Sequence, residues 1–224
     1  MYICHSKKAV NIGLEFGWCP GARYTNLRDV KHLGSPQFLD IDWKNYSFDK
    51  HLSAVKEHRP ELTIARDIEC ITNLDEILKE ADQLLEHCDK VAIVPKDPNL
   101  ASQIKTQIPQ RFILAFSVPT KYGGTKIPTK YFDRPVHLLG GRPDVQRRLA
   151  DEMSVTSFDC NRFTFDAKFG DFFDGKKFIP HPEGGYEKCL RESYRNINKI
   201  WENYDLETTY FKVHKRLIAS PPQS

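Results

Sequence analysis

The sequence predicts an α/β fold, a compact and slightly degenerate (β/α)8 TIM-like barrel, on three observations. Seven short β-rich runs alternate with helical patterns along 224 residues. Several of those runs are apolar without clean alternation, as strands covered on both faces should be. The alternative, an open doubly wound sheet, should carry a glycine-rich phosphate loop after its first strand. Gly13-Leu14-Glu15-Phe16-Gly17 is not G-x-G-x-x-G, and there is no Walker motif. The length sits at the lower end of the barrel range, about 200 residues and up.

The strands are expected at 11–16, 37–43, 62–69, 90–96, 111–118, 136–141 and 155–160, with 2–5 as a weak eighth. Phe48, Leu52, Val55 and His58 follow a helical period. Leu74, Ile77, Leu78, Ala81, Leu84 and Leu85 make a clear amphipathic stripe that Thr72 or Asn73 would cap. Leu100, Ile104 and Ile108 are a weaker case. Pro143-Asp144 opens another helix, proline suiting the first turn. The last helix is expected over about 184–204. There Leu190, Tyr194, Ile197, Trp201 and Tyr204 line one face, and Lys188, Arg191, Arg195 and Lys199 the other. Residues 1–204 then read as one barrel domain, and 205–224 as a polar tail that frays.

Composition excludes several classes. There are 33 Lys and Arg against 30 Asp and Glu, a formal charge of +3, too mild for a polybasic protein. The longest apolar run, 112–118, is far short of the roughly 20 residues that cross a bilayer. The first residues contain no apolar segment of the secretory kind. Six scattered cysteines include no C-x-x-C pair, so neither a zinc ribbon nor a redox motif is expected. Reduced thiols and a cytoplasmic setting follow, with no membrane partner.

Active sites of parallel barrels lie at the C-terminal strand ends. Carboxylates close three of these strands: Asp40 and Asp42, Asp67 and Glu69, and Asp159. Salt bridges with Arg23, Arg66 or Arg142, or helix caps, would account for any one of them. A set at one rim suits chemistry in which one carboxylate attacks a cationic centre and another moves a proton. Gly123-Gly124 and Gly140-Gly141 would let a flat ligand approach the backbone. Ser117 closes another strand. Trp43, Tyr122, Phe158 and Phe163 are candidates to stack on a base or to fill the core. Lys121, Lys126, Arg142, Arg147, Arg148 and the basic face of the last helix are candidates for phosphate contact.

These motifs resemble the tRNA-guanine transglycosylase superfamily. Val136-His137-Leu138-Leu139-Gly140-Gly141, a helix, and then Ser157-Phe158-Asp159-Cys160 are similar to that family's "LLG" strand and "FDC" strand end. Ala65-Arg66-Asp67-Ile68-Glu69-Cys70 resembles its "FDEC" strand end, and Phe38-Leu39-Asp40-Ile41-Asp42 its "LTDSGG" strand end. The resemblance spans roughly residues 37–170. It implies Asp159 as the nucleophile on ribose C1′, Asp67 as the residue that recognises the base, and Asp40 as general acid/base, with Asp42 its substitute. The family's C-x-C-x-x-C…H zinc motif is absent and the chain is shorter than the tRNA enzymes. The 117–125 and 137–141 segments look like the deazaguanine DNA transglycosylases of bacteria and their phages. Exchange of guanine in DNA for a 7-deazaguanine of the preQ0 type is therefore the expected activity, a modification that evades restriction. The partners would be DNA and the two free bases, with no cofactor and no metal. Base exchange on RNA and a non-catalytic nucleic-acid-binding barrel are the alternatives.

Overall fold

The computed structural model describes residues 1–121 and 123–204. Tyr122 and the tail expected at 205–224 lie outside the described residues. Eight parallel strands follow one another in sequence order around a barrel. They are β1 (Tyr2–Ile3), β2 (Cys19–Arg23), β3 (Phe38–Asp40), β4 (Leu62–Ile64), β5 (Lys90–Ile93), β6 (Ile113–Ser117), β7 (Val136–Leu139) and β8 (Val155–Phe158). The circle closes where Tyr2 bridges Asp159 in parallel and the Cys160 N–H donates to the Tyr2 carbonyl at 3.3 Å.

The helices are α1 (Lys7–Glu15), α2 (Phe48–His58), α3 (Leu74–Leu85), α4 (Ile104–Gln107), α5 (Pro143–Leu149), α6 (Arg162–Asp166) and α7 (Tyr186–Trp201). The degeneracy is local. After β2 and β6 the return to the next strand contains only 3₁₀ turns, at Leu27–Asp29, Lys31–Leu33 and Thr129–Tyr131. After β8 the chain adds a hairpin, β9 (Asp171–Phe173) with β10 (Phe178–Pro180), before α7. No helix among the described residues is long and apolar enough to cross a membrane, and the six cysteines are unpaired.

Two expectations need correction. The run at 11–16 is not a strand but the second half of α1. Its buried residues, Ala9, Val10, Ile12 and Gly13, fall on one helical face. The second strand is instead Cys19–Arg23, which contains Pro20 and Gly21, residues that argue against a strand interior. Proline fits there because β2 is short and its carbonyl still accepts from the Gln37 N–H at 2.8 Å. Glycine fits because a Cβ at Gly21 would lie 2.4 Å from Cys4 Sγ. The weak third helical pattern is mostly a 3₁₀ segment, Pro98–Gln103, running into the short α4.

The core has two compartments. A small inner one fills the barrel with Tyr2, Phe38, Leu62, Ile64, Ala92, Val94 and Ala115. A larger outer one lies between strands and helices. Strand alternation sorts them: Phe38 and Asp40 point inward while Leu39 joins the outer core. α7 seals the β8–β1 seam from outside. Tyr194 is fully buried, donates to the Ala9 carbonyl at 2.8 Å and packs on Trp18 and Phe163. Burying such a ring contributes about 2–3 kcal/mol. Trp201 stacks on Phe158, with ring centroids 4.5 Å apart.

Candidate functional site

The inward-facing track of each strand continues past the apolar filling and ends in polar groups at the barrel mouth. β1 is followed by Cys4, β2 ends in Arg23, β3 in Asp40 and β6 in Ser117. Lys96 lies two residues beyond the inward Val94, and Asp159 two beyond Ser157. After β4, Ile68 turns into the outer core, which sets Asp67 and Glu69 on the mouth side of it. The resulting cavity is about 490 Å³, within the usual range for a small-molecule site.

Asp40, Asp67 and Asp159, drawn from three separate strand ends, share this cavity. Glu69, Ser117, Gly123, Gly124, Gly140, Gly141 and Lys126 also line it. Asp42 does not. The chain turns after Asp40, and the Asp42 carboxylate accepts from the Lys44 N–H at 3.3 Å as part of that turn. Of the two aspartates that share the motif, Asp40 therefore faces the mouth.

Asp159 is almost wholly buried. Its Oδ1 accepts the Gly140 N–H at 2.9 Å and lies 3.5 Å from His137 Nε2. Its Oδ2 has Asn161 Nδ2 at 3.5 Å. Gln146 on α5 clamps the two strand ends together, donating from Nε2 to the carbonyls of Gly140 and Asp159, both at 2.7 Å. Asp40 accepts the Ile41 N–H at 2.8 Å and has Arg23 Nε at 3.6 Å. Burial first, and then the charge of Asp159, push the Asp40 carboxyl up to about 7, against the pull of Arg23. Asp40 therefore holds a proton up to about neutral pH.

Asp67 is in a different state. Burial raises it, but Lys96 Nζ stands 2.5 Å away and opposes that shift. Lys96 also reaches Glu69 at 3.0 Å. Burial works against the ammonium, yet the two carboxylates outweigh it and its pKa rises. Such a lysine stays charged and is no Schiff-base nucleophile. Cys4 is no nucleophile either, because burial, Asp40 and Asp159 push its thiol well up.

The glycine pairs divide. A Cβ on Gly141 would lie 2.4 Å from Val118 Cγ1, and one on Gly124 2.6 Å from the Pro119 Cα. Both are glycine because the chain itself fills the space. Gly140 and Gly123 have open space. The Gly140 N–H is already given to Asp159, and Gly123 exchanges backbone hydrogen bonds with Thr120. These amides are committed within the protein and not held ready for a ligand.

The expected phosphate contacts mostly lie elsewhere. Lys126 is exposed on the cavity wall. Lys121 is exposed but does not line the cavity. Arg142 pairs with Asp144 at 2.9 Å, and Arg147 with Asp151 at 2.7 Å while packing over Trp201. Arg148 is exposed on α5. On α7, Lys188 pairs with Glu183, Arg191 with Glu15 and Glu187, and Arg195 with Glu192, while Lys199 is exposed. Most of this stripe is met by carboxylates of the chain. Phe158 and Phe163 are core residues, whereas Trp43 is 58% exposed at the mouth.

Arg23, expected only as a salt-bridge partner, lines the cavity together with Lys96 and Asn161, which no motif singles out. The period of two was the available signal: Arg23 is two past Gly21, and Lys96 two past Val94. Among the described residues, no three His, Cys, Asp or Glu side chains group as metal ligands.

Residues 13–202 match a family of unknown function, DUF6610. The chain belongs to DUF6610. No curated protein matches it. The match reaches from within α1 to just past α7, so every strand end of the mouth except that of β1 lies on the part that DUF6610 describes.

Proposed function

We propose that this DUF6610 protein is a base-exchange pentosyltransferase that replaces guanine in DNA with a 7-deazaguanine. The observation that carries the reading is the meeting of Asp40, Asp67 and Asp159 in one mouth, with Asp40 raised to about 7 beside Asp159. One carboxylate available to attack and one available to hold a proton are the two groups that displacement at a glycosyl carbon needs.

The target nucleotide leaves the duplex and enters the mouth. Asp159 attacks C1′. The C1′–O bond forms, the C1′–N9 bond breaks, and Asp40 gives its proton to the departing guanine. The incoming 7-deazaguanine then yields its N9 proton to Asp40 and bonds to C1′, releasing the Asp159 carboxylate. Two displacements retain configuration. Asp67, steadied by Lys96, accepts from the N–H edge of the base, since a carboxylate accepts from two donors at once. Arg23 and Lys126 hold phosphates at the rim. Trp43 is placed to stack. The preference for DNA rests on the absent C-x-C-x-x-C…H zinc motif and on the resemblance of residues 117–125 and 137–141 to the DNA-acting branch.

The test is incubation with duplex DNA and labelled guanine or preQ0. Wild type should incorporate label and leave a DNA–protein adduct on a denaturing gel. Asp159→Asn should do neither, a fall of at least about 10³-fold, and still bind DNA. Full activity in that variant ends the assignment. Incorporation into tRNA but not DNA moves the substrate to RNA. Base released without incorporation makes water the acceptor. DNA binding with no chemistry, indifferent to Asp40, Asp67 and Asp159, makes the barrel a binding module.

A further inference from the structure

His137 is a buried polar group that the proposed reaction leaves unused. It lies on the inward track of β7, two residues before Leu139, and is fully buried. Its ring packs 5.0 Å from Phe38 and 6.0 Å from Tyr2, so it belongs to an aromatic plug that floors the mouth. Nδ1 is 2.8 Å from Ser157 Oγ. Nε2 has no full hydrogen bond, and Asp159 Oδ1 lies 3.5 Å from it. Contacts of this length at sites without substrate tighten when the reacting complex forms.

The chemistry of the two neighbours sets the tautomer. Burial lowers the His137 pKa, so the ring is neutral and carries one N–H. A hydroxyl can donate to a bare ring nitrogen, and a carboxylate cannot. The proton therefore belongs on Nε2, facing Asp159, and Nδ1 accepts from the Ser157 hydroxyl. Gly140 donates to Oδ1, the His137 N–H faces the same oxygen from 3.5 Å, and Oδ2, with Asn161 Nδ2 at 3.5 Å, is the oxygen left to react.

We propose that His137, oriented by Ser157, is a positioning residue for Asp159, fixing its carboxylate so that Oδ2 is the oxygen presented to the reacting carbon. The inference rests on the reading of Asp159 as nucleophile. In that role a second-layer donor lowers the freedom of the attacking group without touching substrate.

Two measurements test it separately from that reading. The first is ¹⁵N NMR of the histidine rings in the full chain. Wild type should show His137 as the neutral Nε2–H form, and Asp159→Ala should let the Nδ1–H form appear. An Nδ1–H ring in wild type, or a tautomer indifferent to Asp159→Ala, overturns the proposal whether or not base exchange occurs. The second is kinetics of base exchange in His137→Phe with Ser157→Ala, which keeps the ring packing and removes the polar pair. The kcat should fall about 10–100-fold with KM for the incoming base unchanged, and His137→Gln, which keeps a donor, should recover part of it. An unchanged kcat overturns the proposal. If wild type exchanges no base at all, the transglycosylase reading falls and the NMR result alone decides the positioning of Asp159.

Discussion

The two sides of the barrel mouth carry the same residue type in different company. On one side burial, and then the charge of Asp159, raise Asp40 to about 7, with Arg23 at 3.6 Å as a weak counterweight. On the other, Asp67 has Lys96 at 2.5 Å, and Glu69 shares that ammonium. An aspartate with a lysine against it is held in an ion pair that opposes the effect of burial. An aspartate facing another carboxylate exchanges protons. The difference comes from the charged group set beside each carboxyl, Asp159 after β8 or Lys96 after β5, not from the aspartates themselves.

The largest effect that separates the two sides is in Asp40. Asp40→Asn should slow formation of the DNA–protein adduct by about 10²–10⁴-fold. In wild type the single-turnover adduct rate should fall as pH rises through about 7, because the proton donor is lost there. That limb should vanish in the variant. Stability should move the other way. The Asp40 pKa is raised on folding, so the folded state binds the proton more tightly. Its contribution is fully present below the unfolded carboxylate range, near 4, and is lost as pH rises through about 7. Asp40→Asn should therefore gain up to about 4 kcal/mol on wild type above pH 8, and nothing at pH 3 to 4. Denaturant melts at the two pH values measure this, and a variant that gains nothing at high pH would mean that folding does not raise Asp40.

The opposite side should respond to charge pairing. Lys96→Met leaves Asp67 buried beside no cation and should cost about 2–3 kcal/mol of stability. KM for the incoming base should rise while the pH limb assigned to Asp40 stays in place. Adding Asp67→Asn removes the stranded charge, so the double variant should recover most of the stability without recovering base binding. Urea melts of the four proteins in this cycle give the coupling energy. A coupling near zero would mean that the pair contributes no more than an exposed one.

How much of this was legible in sequence depends on the physical signal each residue carries. The barrel is readable because buried parallel strands are apolar runs, α3 and α7 because their apolar residues keep a helical period, and α5 because Pro143 suits a first turn; of the α2 stripe only Val55 is fully buried. The 11–16 run misled because Val10, Ile12 and Leu14 alternate as a strand would, while Ala9 and Gly13, which complete the helical face, carry little hydrophobic signal. β2 was invisible because Pro20 and Gly21 argue against a strand, and their fit depends on Gln37, Cys4 and Phe38, distant in sequence. Without β2, Arg23 reads as a salt-bridge partner and not as a residue of the mouth. The carboxylates were found as strand-end residues, but whether each is poised or held was not, since Lys96 lies 29 residues from Asp67 and Asp159 far from Asp40. The basic face of α7 was correctly seen as a stripe. Its partners Glu187 and Glu192 lie on the helix at i−4 and i−3, but Glu15 and Glu183 lie off it, so only part of its neutralisation is visible in sequence.

The smallest effect sharpens the contrast on the Asp159 side itself. Gly140 and Gly141 are adjacent, both have positive φ, 57° and 87°, and both line the cavity. The sequence offers no reason to rank them. Gly140 sits in the left-handed region with open space around a would-be Cβ, so Gly140→Ala should cost only the backbone penalty, about 1 kcal/mol. Gly141 adds a 2.4 Å approach to Val118, so Gly141→Ala should cost about 2–3 kcal/mol. Val118→Ala opens that space, and the Gly141→Ala penalty measured in a Val118→Ala background should drop toward the Gly140→Ala value. Gly140 carries the amide that holds Asp159 Oδ1. A shift of that amide by the new methyl should therefore appear in kcat for Gly140→Ala beyond its small stability cost. For Gly141→Ala the loss should appear in stability first. Equal kcat in both variants would mean that the Gly140 amide holds Asp159 no more firmly than the rest of the loop does.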